Sequence, residues 1–182
     1  MRGLLLATIL SLALAPCGAS ASEADGVSRE YALKAAYLCR FADYVDWPES
    51  AFKSADEPMV LGVLGESPFG TALDKLVAGT KSHGRELTVK YFHTLDEYQP
   101  CHLLFICSSE TERLKDILSK TRDAPVLVVG DSPGLAEKGA AIDFLIEDNK
   151  VRFEVNPEAA KQARLQISSK LLHLAKLAGG GQ

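Results

Sequence analysis

The motif with the clearest catalytic form is a GxSxG pentapeptide centred on Ser132, which directly follows an apolar run. Serine hydrolases carry their nucleophile in such a motif, and Asp143 or Asp148 and then His173 follow it in the order those enzymes use. The next residue must donate its backbone N–H to the oxyanion hole, but Pro133 has none. Losing one such donor costs about 3 to 4 kcal/mol of transition-state stabilisation. We therefore expect a turn here, and a hydrolase using Ser132 is only an alternative.

Cofactor and metal chemistry have little support in the sequence. Glycines at positions 62, 65 and 70 surround a strand-to-helix turn, but their spacing matches neither a dinucleotide-binding loop nor a phosphate-binding loop with its lysine. The four histidines lie far apart in sequence. Cys101 and His102 are neighbours on a predicted strand, so their side chains point to opposite faces. We expect no cofactor and no bound metal ion.

Residues 1–21 have the features of a secretory signal peptide. Arg2 precedes an apolar run of about 12 residues, and three small residues end the segment. The run is shorter than the roughly 20 residues that cross a bilayer. Cys17 follows Pro16 rather than a small residue, which argues against a lipid anchor. We expect cleavage after Ala21 and export to the periplasm.

The mature chain has the size and composition of one globular domain. Removing 21 residues from the 182 leaves 161, and the net charge moves from −4 to −5 because the removed segment carries one base and no acid. An acidic protein is a poor partner for nucleic acid or anionic membranes. Hydrophobic residues make up 47% of the chain and charged residues 24%, which is typical of a domain with an apolar core. We predict a single domain over residues 22–182.

Three cysteines remain in the mature chain: Cys39, Cys101 and Cys107. With an odd number, at most one internal disulfide can form and one thiol is left over. If Cys101 and Cys107 end one extended strand, they lie about 20 Å apart, far beyond the roughly 5.5 Å that separates bridged Cα atoms. A bridge between them needs a bend, and a bridge from Cys39 to either one is equally compatible with the sequence. The pairing is therefore open.

Apolar periodicity predicts an α/β fold for most of the chain. Helical spacing or flanking turn residues indicate helices at residues 30–46, 68–77 and 110–120, and apolar runs or alternation indicate strands at residues 59–64, 85–92, 102–107 and 125–129. Most of these strands are continuous apolar runs, which is typical of strands buried on both faces. We expect a mainly parallel sheet with helices on both faces.

The last third of the sequence predicts a different arrangement. Two β runs, residues 141–147 and 150–155, flank Asp148 and Asn149, which favours an antiparallel hairpin with a two-residue turn. Asn156 then supplies a helix cap, followed by a first-turn proline. We expect one long terminal helix to about residue 177, roughly 30 Å in length.

Several blocks of the sequence resemble the YfiR-like family of secreted bacterial proteins, in the order that the family has. The first block runs from Lys34 to Pro48 and includes the string FADYVDWP. Further blocks are residues 101–106, residues 139–144, and residues 151–156 leading to residues 167–172. The resemblance spans roughly residues 31–177, which is nearly all of the mature chain.

This resemblance implies a regulator and not an enzyme. Its best understood member is periplasmic and represses a membrane-anchored diguanylate cyclase by holding the periplasmic sensor domain of that cyclase. An outer-membrane lipoprotein sequesters the repressor and so releases the cyclase, after which cyclic-di-GMP and biofilm growth rise. The family fold is an α/β sandwich that forms homodimers and carries disulfides. The resemblance thus implies these two protein partners and a homodimer here.

A repressor of this kind needs exposed apolar and aromatic surface for its two partners. The first predicted helix is apolar on more than one face, so it is either buried on several sides or keeps one face for a partner. Aromatic anchors dominate the energetics of interfaces, and basic side chains can reach acidic partner groups or a ligand carboxylate. The candidate binding residues are Tyr37, Phe41, Tyr44 and Trp47 from the first helix and its end, with Arg164 and Lys170 from the terminal helix.

A small-molecule sensor is the other class that the sequence supports. In open α/β sheets, ligands bind beyond the carboxyl ends of the strands. Residues 65–67 and 130–132 follow two predicted strands directly, so both segments lie at that edge. We expect a solute cleft there if the protein senses a small molecule.

Overall fold

The computed structural model describes the backbone of residues 20–178 and the side chains from residue 29 onward. The predicted signal peptide therefore lies outside the described residues, except for its last two, and so does Cys17. Within residues 20–178, no helix is both long and apolar enough to cross a membrane.

The described residues form helices and strands in alternation. The helices are α1 (Ser20–Tyr44), α2 (Ala72–Val77), α3 (Leu114–Thr121), α4 (Pro157–Gln162) and α5 (Ser169–Leu174), with short 3-10 helices at Glu49–Ala51, Leu95–Glu97 and Ser108–Arg113. The strands are β1 (Val45–Asp46), β2 (Met59–Leu64), β3 (Lys81–Ser82), β4 (Arg85–Phe92), β5 (Leu103–Ile106), β6 (Leu127–Gly130), β7 (Ile142–Glu147), β8 (Lys150–Val155), β9 (Gln166–Ile167) and β10 (Lys176–Leu177). The predicted α/β class is confirmed.

One eight-stranded sheet organises the fold, in the order β10-β8-β7-β6-β5-β2-β4-β3. The five strands from β7 to β4 in this order are parallel to one another. Taken in chain order, those five are arranged 2-1-3-4-5, an order typical of doubly wound α/β folds that bind ligands at the carboxyl edge of the sheet. The sheet is therefore mainly parallel, as predicted, with antiparallel strands towards its edges.

Alternate residues of the central strands enter two separate cores. In β2, Met59, Leu61 and Val63 pack on the side that holds α1 and α2. Val60 and Leu64 pack on the other side, with Ile117 of α3. Helices therefore cover both faces, and the strands are apolar at nearly every position because neither face meets water.

The predicted antiparallel hairpin corresponds to β7 and β8, in which Phe144 lies opposite Phe153. The turn residues Asp148 and Asn149 have φ angles of 49° and 57°. Two consecutive residues with positive φ match the right-handed twist of a hairpin, and Asp and Asn tolerate that conformation.

The long terminal helix predicted from residue 157 to residue 177 is wrong. Helix α4 ends at Gln162, and Arg164 adopts a left-handed conformation with φ of 61°. β9 then pairs antiparallel with β1, and β10 adds a parallel edge strand beside β8. The predicted buried stripe is broken accordingly, since Leu171 is buried but Leu174 is 70% exposed. Pairing with distant backbone has replaced the local helical preference.

The first helix differs from its prediction at both ends. It was expected at residues 30–46, whereas α1 begins at Ser20 and ends at Tyr44. Val45 and Asp46 leave the helix because they pair with Ile167 and Gln166.

Candidate functional site

A buried lysine of α1 lies at the carboxyl edge of the sheet. The Lys34 side chain is 3% exposed, and its Nζ atom lies 2.5 Å from Oδ1 of Asp131. The same ammonium pairs with Glu30, one turn earlier on α1, and lies 4.5 Å from the ring centre of Tyr31. A buried ammonium is tolerated because opposite charges surround it.

Asp131 directly follows β6 and is held among apolar and aromatic groups. Its side chain is 6% exposed. Its second oxygen, Oδ2, is buried and has no hydrogen-bond partner among the described residues. Burial, followed by the charge of Asp131 and a hydrogen bond to that carboxylate, raises the pKa of Tyr31 well above its usual value. The Asp131 carboxylate is thus a buried charge beside the Lys34 ammonium and the Tyr31 hydroxyl.

Asp143 of β7 shapes the loop that carries Asp131. Its two oxygens accept hydrogen bonds from the backbone N–H of Leu135, at 2.9 Å, and of Ser132, at 3.3 Å. Burial raises the pKa of Asp143 to about 6, and the two backbone donors oppose that rise. The loop conformation therefore depends on a carboxylate from the neighbouring strand.

A cleft of about 550 Å³ opens beside Lys34 and Asp131. We call it the carboxyl-edge cleft. It is lined by the acidic residues Glu30, Asp131, Glu147 and Glu154, by Tyr31, Lys34, Ser132 and Pro133, and by Phe144, Leu145 and Ile146. The sequence placed a solute cleft near residues 65–67 and 130–132, and this one includes Asp131 and Ser132 but not residues 65–67.

A second groove, of about 860 Å³, separates α1 from the β7–β8 hairpin. We call it the α1–hairpin groove. Its apolar residues are Leu33, Tyr37, Ile146 and Val151, and its polar residues are Arg29, Glu30, Asn149, Lys150 and Arg152. Leu33 is 45% exposed and Ile146 is 48% exposed, so part of this apolar surface faces solvent.

The predicted aromatic binding residues occupy different environments. Phe41 is fully buried, so it supports the core and offers no surface to a partner. Tyr37 packs on Phe41 and Phe153 and also lines the α1–hairpin groove. Tyr44 and Trp47 are half-buried against the core, and the Trp47 indole donates a hydrogen bond to a backbone carbonyl. Tyr37 is the one of these four that lines the groove.

The two predicted basic binding residues lie away from both cavities. Arg164 is exposed, and its guanidinium donates to the carbonyl of Asp123 at 2.7 Å. Lys170 is exposed in the first turn of α5. Neither lines the carboxyl-edge cleft or the α1–hairpin groove, so their role in partner binding stays a prediction.

The contacts of Ser132 differ from those of a hydrolase nucleophile. Its hydroxyl lies 2.9 Å from the hydroxyl of Thr111, and Asp143 binds backbone N–H groups. Nδ1 of His173 contacts the carbonyl of Ser169 within its own helix. Across the described residues, no group of three or more His, Cys, Asp and Glu side chains could hold a metal ion.

Cys39, Cys101 and Cys107 are all free thiols in this structure, so the single disulfide that the sequence allowed is not formed. Cys101 and Cys107 are buried in different cores. Burial raises the pKa of each of these two thiols to about 12. The thiols are therefore protonated at neutral pH.

Sequence reasoning missed the pairing of Lys34 with Asp131. The two residues are 97 positions apart, and no local pattern joins them. One signal was available, because Lys34 lies four and seven residues before Leu38 and Phe41, on the buried stripe of α1. A lysine at such a position predicts a buried acidic partner.

A comparison with protein families identifies a relative for the part of the chain that contains this site. The sequence model of a family described as YfiR/HmsC-like matches residues 31–176. The chain belongs to the YfiR/HmsC-like family. The match runs from Tyr31, beside the carboxyl-edge cleft, to Lys176 of β10, and it confirms the resemblance seen in the sequence.

Solved structures add information on the fold of this YfiR/HmsC-like chain. It is similar to the ABC domain from Streptococcus pneumonia in complex with L-Trp, with a TM-score of 0.50 and 10% sequence identity. The match covers 65% of this chain and 54% of that one, so the chain spans about half the length of that structure. At this identity the likeness concerns the fold alone. A search of curated proteins found no match.

Proposed function

We propose that this YfiR/HmsC-like protein is a periplasmic regulator that represses a membrane-bound diguanylate cyclase by binding its periplasmic sensor domain. The family match over residues 31–176 carries the proposal. A periplasmic protein cannot reach a cytoplasmic nucleotide, so its control must pass through a partner that spans the membrane. Repression lowers cyclic-di-GMP and biofilm growth, and an outer-membrane lipoprotein that sequesters the regulator relieves it.

The α1–hairpin groove is the surface we assign to the cyclase. Exposed Leu33 and Ile146 flank the half-buried Tyr37. Exposed apolar side chains around an aromatic ring are typical of interaction sites, because their burial drives association. This surface is the part of the predicted aromatic face that remains available after Phe41 is packed in the core.

The charges around the groove indicate the chemistry of the partner. Arg29, Lys150 and Arg152 are exposed at its margin, against one acid, Glu30. A partner surface with an apolar centre and acidic groups around it would complement this arrangement. Charge complementarity of this kind increases the association rate and fixes the orientation of the complex.

The mature chain, residues 22–182, acts as one domain in this proposal and assembles as a homodimer. The proposed regulator needs no enzymatic activity of its own, since it acts by binding to its partner. Sedimentation of the purified mature protein tests the homodimer, and a monomeric mass at micromolar concentration would contradict it.

The decisive experiment measures binding to the periplasmic domains of the membrane-bound diguanylate cyclases of the source organism. Calorimetry with the mature protein should give a saturable complex. Leu33→Asp and Ile146→Asp each place a charge in the apolar centre, and we expect each to weaken binding at least tenfold, about 1.4 kcal/mol. Leu174→Asp is the matched control, because Leu174 is 70% exposed on α5 and does not line the groove.

Two results would contradict the proposal at different levels. Absence of binding by the unaltered protein would remove the cyclase as its partner. An equal loss of binding affinity in Leu174→Asp and Ile146→Asp would show that the groove is not the docking surface. In cells, deletion of the gene should raise the level of cyclic-di-GMP. Expression of the unaltered protein should lower that level again, and expression of the Ile146→Asp protein should not.

A further inference from the structure

We propose that Asp143 is a proton-operated clamp, whose carboxylate holds the loop after β6 and whose protonation in mild acid releases that loop while the domain stays folded. The carboxyl edge of the sheet then has two states, one for each protonation state of Asp143. This inference goes beyond the repressor function and does not rest on it.

The clamp consists of one side chain and two backbone groups. Oδ2 of Asp143 accepts from the N–H of Leu135 at 2.9 Å, and Oδ1 accepts from the N–H of Ser132 at 3.3 Å. Gly130, beside Asp143 on β6, leaves room for the carboxylate, since a Cβ atom there would lie 2.9 Å from Oδ1. Protonation converts one oxygen into a hydroxyl donor, which no longer suits a backbone N–H. The ionised form therefore holds both groups and the neutral form holds one.

The surroundings of Asp143 favour uptake of a proton. The residue is 1% exposed, and none of the ion pairs of the described residues includes it. Glu154 lies directly opposite on β8, and Asp131 begins the loop. Lys34 of α1 is the ammonium that lines the adjoining cleft, and it already pairs with Asp131 and Glu30. Burial without a counter-ion and repulsion by like charges both favour the neutral acid.

Other charged groups near the loop leave this balance unchanged. The 3-10 helix Ser108–Arg113 packs on the loop, where the hydroxyls of Thr111 and Ser132 lie 2.9 Å apart. Its Glu110 and Arg113 pair with each other. None of the four histidines lines the carboxyl-edge cleft. Asp143 is thus the group at this edge that is set to titrate in mild acid.

The proton enters the folded protein. Burial raises the pKa of Asp143 to about 6, against the two backbone donors, and the charges of Glu154 and Asp131 add to the rise. An unfolded aspartate titrates near pH 3.9, so the folded chain takes up the proton first as the pH falls. The stabilisation by this proton is complete below about pH 4 and is lost as the pH rises through about 6. The clamp therefore opens without unfolding the domain.

Release begins at Ser132, because its bond to Asp143 is the longer of the two and therefore the weaker. Ser132 follows Asp131, whose carboxylate holds Lys34 of α1. Asp131 and Ser132 line the carboxyl-edge cleft, which shares Glu30 and Ile146 with the α1–hairpin groove. Mild acidity thus acts where β6, β7 and α1 meet, through a local change of charge.

Nuclear magnetic resonance of the isotope-labelled mature protein, titrated from pH 7.5 to pH 4.5, tests the clamp. An amide proton that donates to a carboxylate moves upfield when the carboxylate is protonated. We expect the Ser132 and Leu135 amides to move together, with one midpoint at about pH 6. After correction for intrinsic exchange, Ser132 should exchange with solvent about tenfold faster at pH 5 than at pH 7, and Leu135 should change little.

Two variants show whether the midpoint belongs to Asp143. Asp143→Asn cannot titrate, so the shared midpoint should be absent. Because the amide N–H groups of that Asn oppose two backbone donors, the variant can lose stability, and Glu154→Gln is a milder test. Removal of the charge opposite Asp143 should lower the midpoint by about 0.3 to 1 pH unit. Glu86→Gln, which alters an exposed acid on β4, should keep the midpoint of the unaltered protein.

The inference is overturned if the two amides do not shift before the domain unfolds, or if Glu154→Gln keeps the original midpoint. A midpoint near pH 6 that persists in a folded Asp143→Asn protein would assign the proton to another group and would also overturn it. No cyclase domain is present in these measurements, so their failure leaves the repressor proposal unaffected, and failure of cyclase binding leaves this inference unaffected.

Discussion

Lys34 and His102 are two polar residues that the fold buries, and each depends on particular partners. Lys34 is held by two carboxylates, which keep its charge compatible with burial. His102 is 6% exposed and has no charged partner in hydrogen-bond contact. Its Nδ1 accepts from the N–H of Val60 at 2.9 Å, so Nε2 must donate to the carbonyl of Ala51. This residue is therefore neutral in the folded protein.

The surroundings of His102 explain why the protonated form is disfavoured. Its ring stacks on that of Phe52, with ring centres 4.4 Å apart. The guanidinium carbon of Arg85 lies 3.8 Å from the centre of the Phe52 ring. Burial lowers the pKa of His102, partly offset by Ala51 and Glu57. The unfolded chain takes up the proton near pH 6.5, before the folded one does. The stabilising effect of neutral His102 is thus complete above about pH 6.5 and is lost as the pH falls towards the lower folded-state pKa.

We predict that His102→Gln is less stable than the unaltered protein at pH 7.5 by about 1 to 3 kcal/mol, since the N–H of Val60 loses a well-placed acceptor. It should also lose less stability between pH 7.5 and pH 5.5. Urea unfolding at several pH values measures both effects. Asp143 has the opposite effect on the pH dependence of stability, because its pKa of about 6 is above the usual value. Since the unaltered protein and His102→Gln both contain Asp143, its effect cancels when the two are compared.

Exposed His173 provides the control for this comparison. His173→Gln should keep the pH dependence of the unaltered protein. If His102→Gln keeps it as well, another group is responsible for the acid sensitivity.

At the scale of elements, the chain after β8 forms short helices and strands, and each of the two helices has its own N-terminal cap. Asn156 caps α4 by accepting from the N–H of Ala159 at 3.0 Å, and its amide also donates to the carbonyl of Ala136 at 2.8 Å. Ser168 caps α5 by accepting from the N–H of Leu171 at 3.3 Å. Six-residue helices make few internal hydrogen bonds, so their caps and their packing decide whether they form.

Substitution of these two caps should have unequal effects. Ser168→Ala removes one cap and should cost about 1 kcal/mol. Asn156→Ala removes a cap and a second hydrogen bond, so we expect about 2 kcal/mol. Asn156→Asp keeps the cap acceptor and loses the Ala136 contact, and its stability should lie between those of the unaltered protein and Asn156→Ala. Equal losses for Ser168→Ala and Asn156→Ala in urea unfolding would show that the Ala136 contact contributes nothing.

At the scale of the whole molecule, two apolar cores on either side of one sheet stabilise the fold without a covalent link. The three thiols are divided between these cores, with Cys39 and Cys107 on the α1 side and Cys101 on the α3 side. None is bridged among the described residues. The stability of the mature domain should therefore come from burial of its apolar side chains.

We predict that a reducing agent leaves the unfolding temperature of the mature protein unchanged. A thiol reagent should detect three cysteines after denaturation and react slowly with Cys101 and Cys107 in the native state, because both are buried and protonated. Detection of one thiol after denaturation, with a lower unfolding temperature under reducing conditions, would mean that the mature protein carries a disulfide.

The sequence alone determined the parts of the fold that depend on neighbouring residues. The continuous apolar run of β2, the alternation in β4 and the Asp148–Asn149 turn predict their elements at the observed positions, because strand and turn preferences act over a few residues. The family was also recognisable, since its blocks are continuous segments in a constant order.

The tertiary structure alone decided the features that join distant segments. It ended α1 at Tyr44 and divided residues 157–177 into helices and strands, because backbone groups at residues 45–46 and 154–155 offered hydrogen bonds that a lone helix could not use. It also brought Lys34 to Asp131, 97 residues away. Pairing energies of this kind depend on distances across the folded chain, and the order of residues does not contain those distances.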